Sequence, residues 1–246
     1  MVEFQQKIDY SMPRQCGIFP PPPIHYKNAR GLVILFQCPS DVKKQNLPPE
    51  LEPVKRGLDV ILILEYPDTS IGPYNEMIIG LNCKYEKKAG QFVYNIYVDD
   101  DVALTAGREI WGYPKKMCEI KFSSLQGNEM RATLTRKGVT FLDVEVELLE
   151  TSPAIDAGST FEQLPFYNLK FFPDVSDNTK PAFRQLTETQ IEYGDFHKMQ
   201  GAKINYVKSQ YSQYDICHEL LKNINKYLGA AYIEFDFTLP NGKGLD

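Results

Sequence analysis

The chain has 246 residues, 24% of them charged and 43% apolar, an ordinary globular composition that can bury a substantial core. Its formal net charge of −5 and the absence of a basic run argue against nucleic acid as the main partner, and no uninterrupted apolar stretch is long enough to span a bilayer. Five scattered cysteines (Cys16, Cys38, Cys83, Cys118, Cys217) and three scattered histidines argue against a zinc site or disulfide framework, and imply reduced thiols in a cytoplasmic protein.

Residues 1–10 mix Glu, Gln, Lys and Asp with few apolar side chains and do not read as a signal peptide. Residues 1–23 read as an N-terminal arm ending in Pro20-Pro21-Pro22-Pro23, an extended polyproline II lead-in to the first strand. Residues 31–36 and 58–64 are continuously apolar and read as buried strands, with Arg30 at the entrance of the first. Lys43-Lys44-Gln45, between them, marks a short helix or turn. The turn formers of residues 67–73 precede a hairpin of residues 74–85 and 91–98, with Glu76 near its start. Asp99-Asp100-Asp101 suits the N-terminus of a short helix over residues 102–110, which Gly112 and Pro114 end.

Residues 115–122 alternate as a strand, and residues 130–135 and 140–149 form a hairpin around Arg136-Lys137-Gly138. Residues 169–172, 185–192 and 201–207 read as further strands. Ile216, Leu220, Ile224 and Leu228 recur at helical spacing, which predicts an amphipathic helix over residues 214–228 before a final strand at 230–239. Many short strands without βαβ alternation or a Gly-rich phosphate loop imply a mainly β (α+β) protein, an antiparallel barrel or packed sheets in one domain.

Chemistry concentrates in Gly107-Arg108-Glu109-Ile110-Trp111-Gly112-Tyr113-Pro114-Lys115-Lys116. Lysine is almost never fully buried unless paired, and an amine kept neutral by apolar surroundings forms a Schiff base with a ketone. On a regular strand Lys116 shares its face with Cys118, Ile120 and Phe122, while Lys115 lies with Met117, Glu119 and Lys121. Parity alone therefore selects Lys116 as the buried amine.

Gly107-Arg108-Glu109 followed by Tyr113-Pro114-Lys115-Lys116 resembles the signature of the acetoacetate decarboxylase family. The resemblance extends from Ile24-His25-Tyr26-Lys27-Asn28-Ala29-Arg30 to Asn168-Leu169-Lys170-Phe171-Phe172-Pro173, and more weakly beyond. It implies a single domain over residues 1–246 shaped as an antiparallel cone-like β-barrel with a few short helices, assembled into a homo-oligomer. It implies a small-molecule 3-oxo acid or ketone as partner and no metal or organic cofactor. Lys115 would carry the Schiff base, with Lys116 its rival. Glu76 would orient the lysine or move protons, Arg30 would hold the substrate carboxylate, and Tyr113 would form a pocket wall. Arg108 and Glu109 read as a structural ion pair or an oligomer contact.

The chain departs from the family at one point. Where the decarboxylases carry a second glutamate it has Val60-Ile61-Leu62-Ile63-Leu64, and the nearby Glu65 is on the opposite parity from Leu62 and Leu64. A more apolar pocket is expected. Three functions stay open: a cofactor-free 3-oxo acid decarboxylase, a Schiff-base aldolase or dehydratase, and a non-catalytic binding barrel.

Overall fold

The computed structural model describes residues 11–12, 17–124, 127–150, 164–224 and 226–245. Most of the expected N-terminal arm lies outside the described residues. The Pro22–Pro23 bond is cis.

The first part of the chain supplies β1 (Ile24–Phe36), α1 (Ser40–Asn46), β2 (Leu51–Pro53), β3 (Asp59–Tyr66), β4 (Asp68–Thr69), β5 (Tyr74–Tyr85) and β6 (Lys88–Val98). Strands β1, β3, β5 and β6 lie side by side, each antiparallel to the next. Their apolar runs are continuous because both faces of this part of the sheet are buried. Leu32, Ile34, Ile61, Ile63, Met77 and Ile79 enter one core, whereas Val33, Val60, Leu62, Leu64 and Ile78 enter another.

After β6 the chain turns through α2 (Asp101–Ala106) and one π-helical turn, Gly107–Trp111. Of the three acids expected at the start of a helix over residues 102–110, Asp100 is the cap and Asp101 opens α2; Asp100 Oδ1 accepts from the Ala103 N–H at 2.7 Å. The rest comprises β7 (Lys115–Met117), β8 (Glu119–Ser124), β9 (Glu129–Arg136), β10 (Val139–Leu148), β11 (Phe166–Pro173), β12 (Pro181–Thr189), β13 (Glu192–Ser209), α3 (Cys217–Leu221), β14 (Tyr227–Leu239) and β15 (Lys243–Leu245).

The hydrogen-bonded order is β15-β12-β11-β6-β5-β3-β1-β14-β13-β10-β9-β8, with β2, β4 and β7 attached at its sides. The mainly β class is as expected, but among the described residues this order does not close, and β6 pairs parallel with both β7 and β11. A closed, wholly antiparallel barrel is therefore corrected to an open, mixed sheet. The β6–β7 pairing is parallel because the connection through α2 returns the chain to the same end. The strand expected at residues 115–122 is divided at Cys118, whose amide donates to the Val98 carbonyl at 2.8 Å. The helix expected over residues 214–228 shrinks to α3. From Tyr227 the chain instead pairs with β1 and β13, because strand partners on both sides outweigh the helical spacing.

Cys38, Cys83, Cys118 and Cys217 are free and buried. Burial pushes the thiols of Cys83, Cys118 and Cys217 up to about 12.

Lys43 lies on α1, the short helix or turn expected there. It is fully buried, with its Nζ 2.7 Å from Asp59 Oδ1. Asp59 also accepts the Cys38 and Asn82 N–H groups at 2.6 and 2.7 Å. Burial pushes the Asp59 carboxyl above its ordinary range, and Lys43 and these donors oppose the shift. The pair ties α1 to β3 and β5. Lys43→Met should strand a buried carboxylate and destabilise the protein by about 3–5 kcal/mol in urea denaturation. A loss under about 1 kcal/mol would show that the backbone donors suffice.

Candidate active site

The second core contains a cavity of about 50 Å³. Three registers aim the polar groups into it. Leu64 of β3 faces Glu76 of β5, Glu76 faces Val98 of β6, and Ile96 of β6 faces Lys115 of β7. Lys115 and Glu76 consequently meet across β6. Lys115 Nζ lies 2.7 Å from Glu76 Oε2, with the side chains 6% and 7% exposed. At this distance the two groups form a buried ion pair. Tyr66 OH donates to the other oxygen, Oε1, at 3.1 Å. Lys115 and Glu76 are the only amine and carboxylate among the described lining residues.

The signature glycines are explained by Lys115 and its neighbours. A Cβ on Gly107 would lie 2.6 Å from both Cδ and Cε of Lys115, so the glycine makes room for the lysine stem. Gly112 has φ 78°, and a Cβ there would meet the Lys170 backbone at 2.6–2.8 Å. The Tyr113 amide donates to the Gly107 carbonyl at 2.9 Å, closing the turn that delivers Pro114 and Lys115.

Aromatic rings form much of the remaining wall, including Tyr26, Tyr66, Tyr74, Tyr113, Phe166 and Phe237. Lys115 Nζ lies 5.4 Å from the Tyr74 ring centre and 6.0 Å from that of Tyr113. The Tyr26 and Tyr74 hydroxyls are 3.0 Å apart. Burial, and then the charge of Glu76, push the phenols of Tyr26, Tyr66 and Tyr74 upward. All three stay neutral and able to donate at neutral pH. Among the described residues, no group of three His, Cys, Asp or Glu side chains is placed to hold a metal ion.

Lys116 points the other way. It faces Tyr97 in the register, and its Nζ reaches Asp215 Oδ2 at 3.1 Å in the first core. Tyr97 OH also donates to Asp215. Parity was right that Lys116 shares a face with Cys118 but wrong that it is the buried amine: the Lys115 side chain is 6% exposed and that of Lys116 29%. Arg30 is not brought to the cavity. Ala29 and Val33 face the second core, and Arg30 instead donates to Glu65 Oε2 at 2.7 Å on the exposed side. Tyr113 does line the cavity, and so do Leu62 and Leu64, where the family resemblance leads one to look for the second acid.

Sequence reasoning missed Tyr66, although pairing β3 with β5 places it opposite Tyr74 and beside Glu76. Phe235, Phe237 and Tyr193 gave no local signal, since strands distant in sequence bring them in.

A family model described as acetoacetate decarboxylase (ADC) matches residues 10–246. The chain belongs to the acetoacetate decarboxylase family. An acetoacetate decarboxylase of Burkholderia mallei is 30% identical over 197 residues, covering 72% of this chain and 80% of that one. Acetoacetate decarboxylase 3 of Mesorhizobium japonicum is 31% identical over 116 residues, 47% of this chain and 45% of that one. The match thus spans about half the length of the latter relative. The crystal structure of acetoacetate decarboxylase from Legionella pneumophila superposes with a TM-score of 0.87 at 21% identity, covering 96% of this chain and 93% of that one. That likeness establishes a shared fold.

Gly107→Ala should displace the Lys115 stem while leaving most of the sheet intact. A displacement of about 1 Å lowers rates by roughly 10²-fold. Borohydride trapping of a bound ketone on Lys115 measures the loss, and an unchanged trapping rate would remove Gly107 from the positioning of the lysine.

Proposed function

We propose that the protein decarboxylates a 3-oxo acid through a Schiff base on Lys115, giving a ketone and carbon dioxide. The observation that carries the reading is an almost fully buried lysine held 2.7 Å from a single carboxylate in an aromatic-walled cavity. Family membership supports it.

The ammonium first yields a proton to Glu76, and the free amine adds to the ketone carbon. Loss of water from the carbinolamine leaves an iminium. The bond to the carboxyl carbon then breaks, its electron pair moves into the iminium, and carbon dioxide departs from a neutral enamine. Glu76 gives the first proton to the departing water and takes a second from solvent; delivery of that second proton to the enamine carbon restores the iminium, and water releases the ketone and the ammonium. In the bond-breaking step an iminium and a carboxylate become two neutral species. Apolar walls disfavour the charged reactants more than the uncharged products, so the cavity assists that step. Tyr66 keeps Glu76 oriented through Oε1.

The same iminium serves aldol condensation with dehydration. That second reading is favoured by Leu62 and Leu64, which leave the cavity one acid short of the family pattern. Exposed Phe171, Phe172 and Phe183 on β11 and β12 support association into a homo-oligomer, which sedimentation would measure.

Incubation with a 3-oxo acid and borohydride should leave a reduced adduct on Lys115 in peptide mapping. Lys115→Arg should abolish it, since guanidinium stays protonated. Lys116→Arg should retain it. An adduct on Lys116, or none on either lysine with a ligand shown to bind, would overturn the reading.

Glu76→Gln should fold normally and lose roughly 10²- to 10⁴-fold in turnover. Carbon dioxide release from the folded variant at the wild-type rate would leave Glu76 a structural partner only.

A further inference from the structure

A second cavity, of about 130 Å³, lies beyond the first and shares Phe166 and Tyr193 with it. Strand alternation shows that the two run end to end along one sheet face. On β3, Val60 lines the second cavity, and Leu62 and Leu64 line the first. On β6, Gln91 lines the second, and Val93 and Ile96 line the first. On β5, Asn82 lines the second, and Ile78 and Glu76 line the first. Successive residues on one face advance about 6.5 Å, so the second cavity begins roughly one such step from Leu62.

The residue between Ile78 and Asn82 on this face is Gly80. A Cβ there would lie 3.0 Å from Val60 Cγ1 and 3.1 Å from Gln91 Oε1. Glycine inside a strand often marks close approach of a neighbour, and here Val60 and Gln91 pack over it, so a side chain at this position would push both toward the second cavity that they line. Gln91 is only 7% exposed. Its Nε2 donates to the Leu58 carbonyl at 2.8 Å, whereas its buried Oε1 accepts no hydrogen bond. A buried acceptor without a partner calls for an explanation, and a ligand donor supplies one.

The first cavity is too small for a ring, whereas an apolar protein cavity of about 150 Å³ takes up benzene. We infer that the second cavity is a subsite for a ring-sized apolar arm of the 3-oxo acid, with a hydrogen-bond donor at its far end facing Gln91. The inference deepens the proposed decarboxylation and rests on it for the position of the ketone. The substrate class is an aryl-substituted 3-oxo acid, its ketone at Lys115 and its ring between Val60 and Phe166.

The test compares acetoacetate, 3-oxo-4-phenylbutanoate and 3-oxo-4-(4-hydroxyphenyl)butanoate by carbon dioxide release. Calorimetric binding of acetone, phenylacetone and 4-hydroxyphenylacetone provides a readout independent of the chemistry. Both aryl acids should exceed acetoacetate at least 10-fold in kcat/KM, and the ketones should bind in the same order. The hydroxyl should add a further gain that Gln91→Met removes. Val60→Phe fills the subsite and should lower the aryl-to-acetoacetate ratio at least 10-fold. Leu58→Trp, at the exposed rim, should do the same and covers the case in which Val60→Phe fails to fold. Acetoacetate preferred over both aryl acids, or a ratio that neither filling variant moves, would overturn the subsite. If no acid releases carbon dioxide but the ketones keep their order and its dependence on Val60 or Leu58, the decarboxylation reading fails and the subsite stands.

Discussion

Lys115 and Lys116 are neighbours in sequence yet point to opposite faces of β7, Lys115 into the cavity and Lys116, only partly buried, toward Asp215. Each amine meets its own carboxylate, Lys115 with Glu76 and Lys116 with Asp215. Burial of a charge is tolerable only with such a partner. The pairing of β6 with β7 therefore fixes which lysine faces the cavity. The adjacent sheet registers then place Glu76, Leu62 and Leu64 around it.

The cavity combines one base, one acid and neutral hydroxyls within apolar walls. Burial and the nearby Glu76 charge keep Tyr26, Tyr66 and Tyr74 protonated, so they add donors without adding charge. In the proposed reaction the chemistry falls to the Lys115–Glu76 pair, and the walls favour steps that consume charge. Arg30 stays outside, spent on Glu65, so among the described lining residues Lys115 is the only cation available to a substrate carboxylate.

The same alternation that orients the lysine sets the two cavities along one face. Val60, Leu62 and Leu64 follow one another along a single face and pass from the larger cavity to the smaller. Gly80 sits at the junction. Selectivity would then reside in β3, β5 and β6, away from the signature that carries the amine.

Local signals in the sequence were enough for the central strands, the β5–β6 hairpin, the Asp100 cap and the stop at Gly112, because apolar runs, turn residues and caps act over a few positions. The signature directed attention to Lys115, and the parity of residues 60–65 correctly placed Leu62 and Leu64 inward and Glu65 outward. Tertiary structure decided what those signals could not: the division at Cys118, the conversion of residues 227–228 from expected helix to β14, the burial of Lys43, and the exclusion of Arg30. It also chose between the two lysines, since the pairing of β7 with β6 turns Lys115 into the cavity and leaves Lys116 partly exposed beside Asp215. The reason is range. Periodicity records which side chains share a face, but only pairing between strands distant in sequence determines what that face meets.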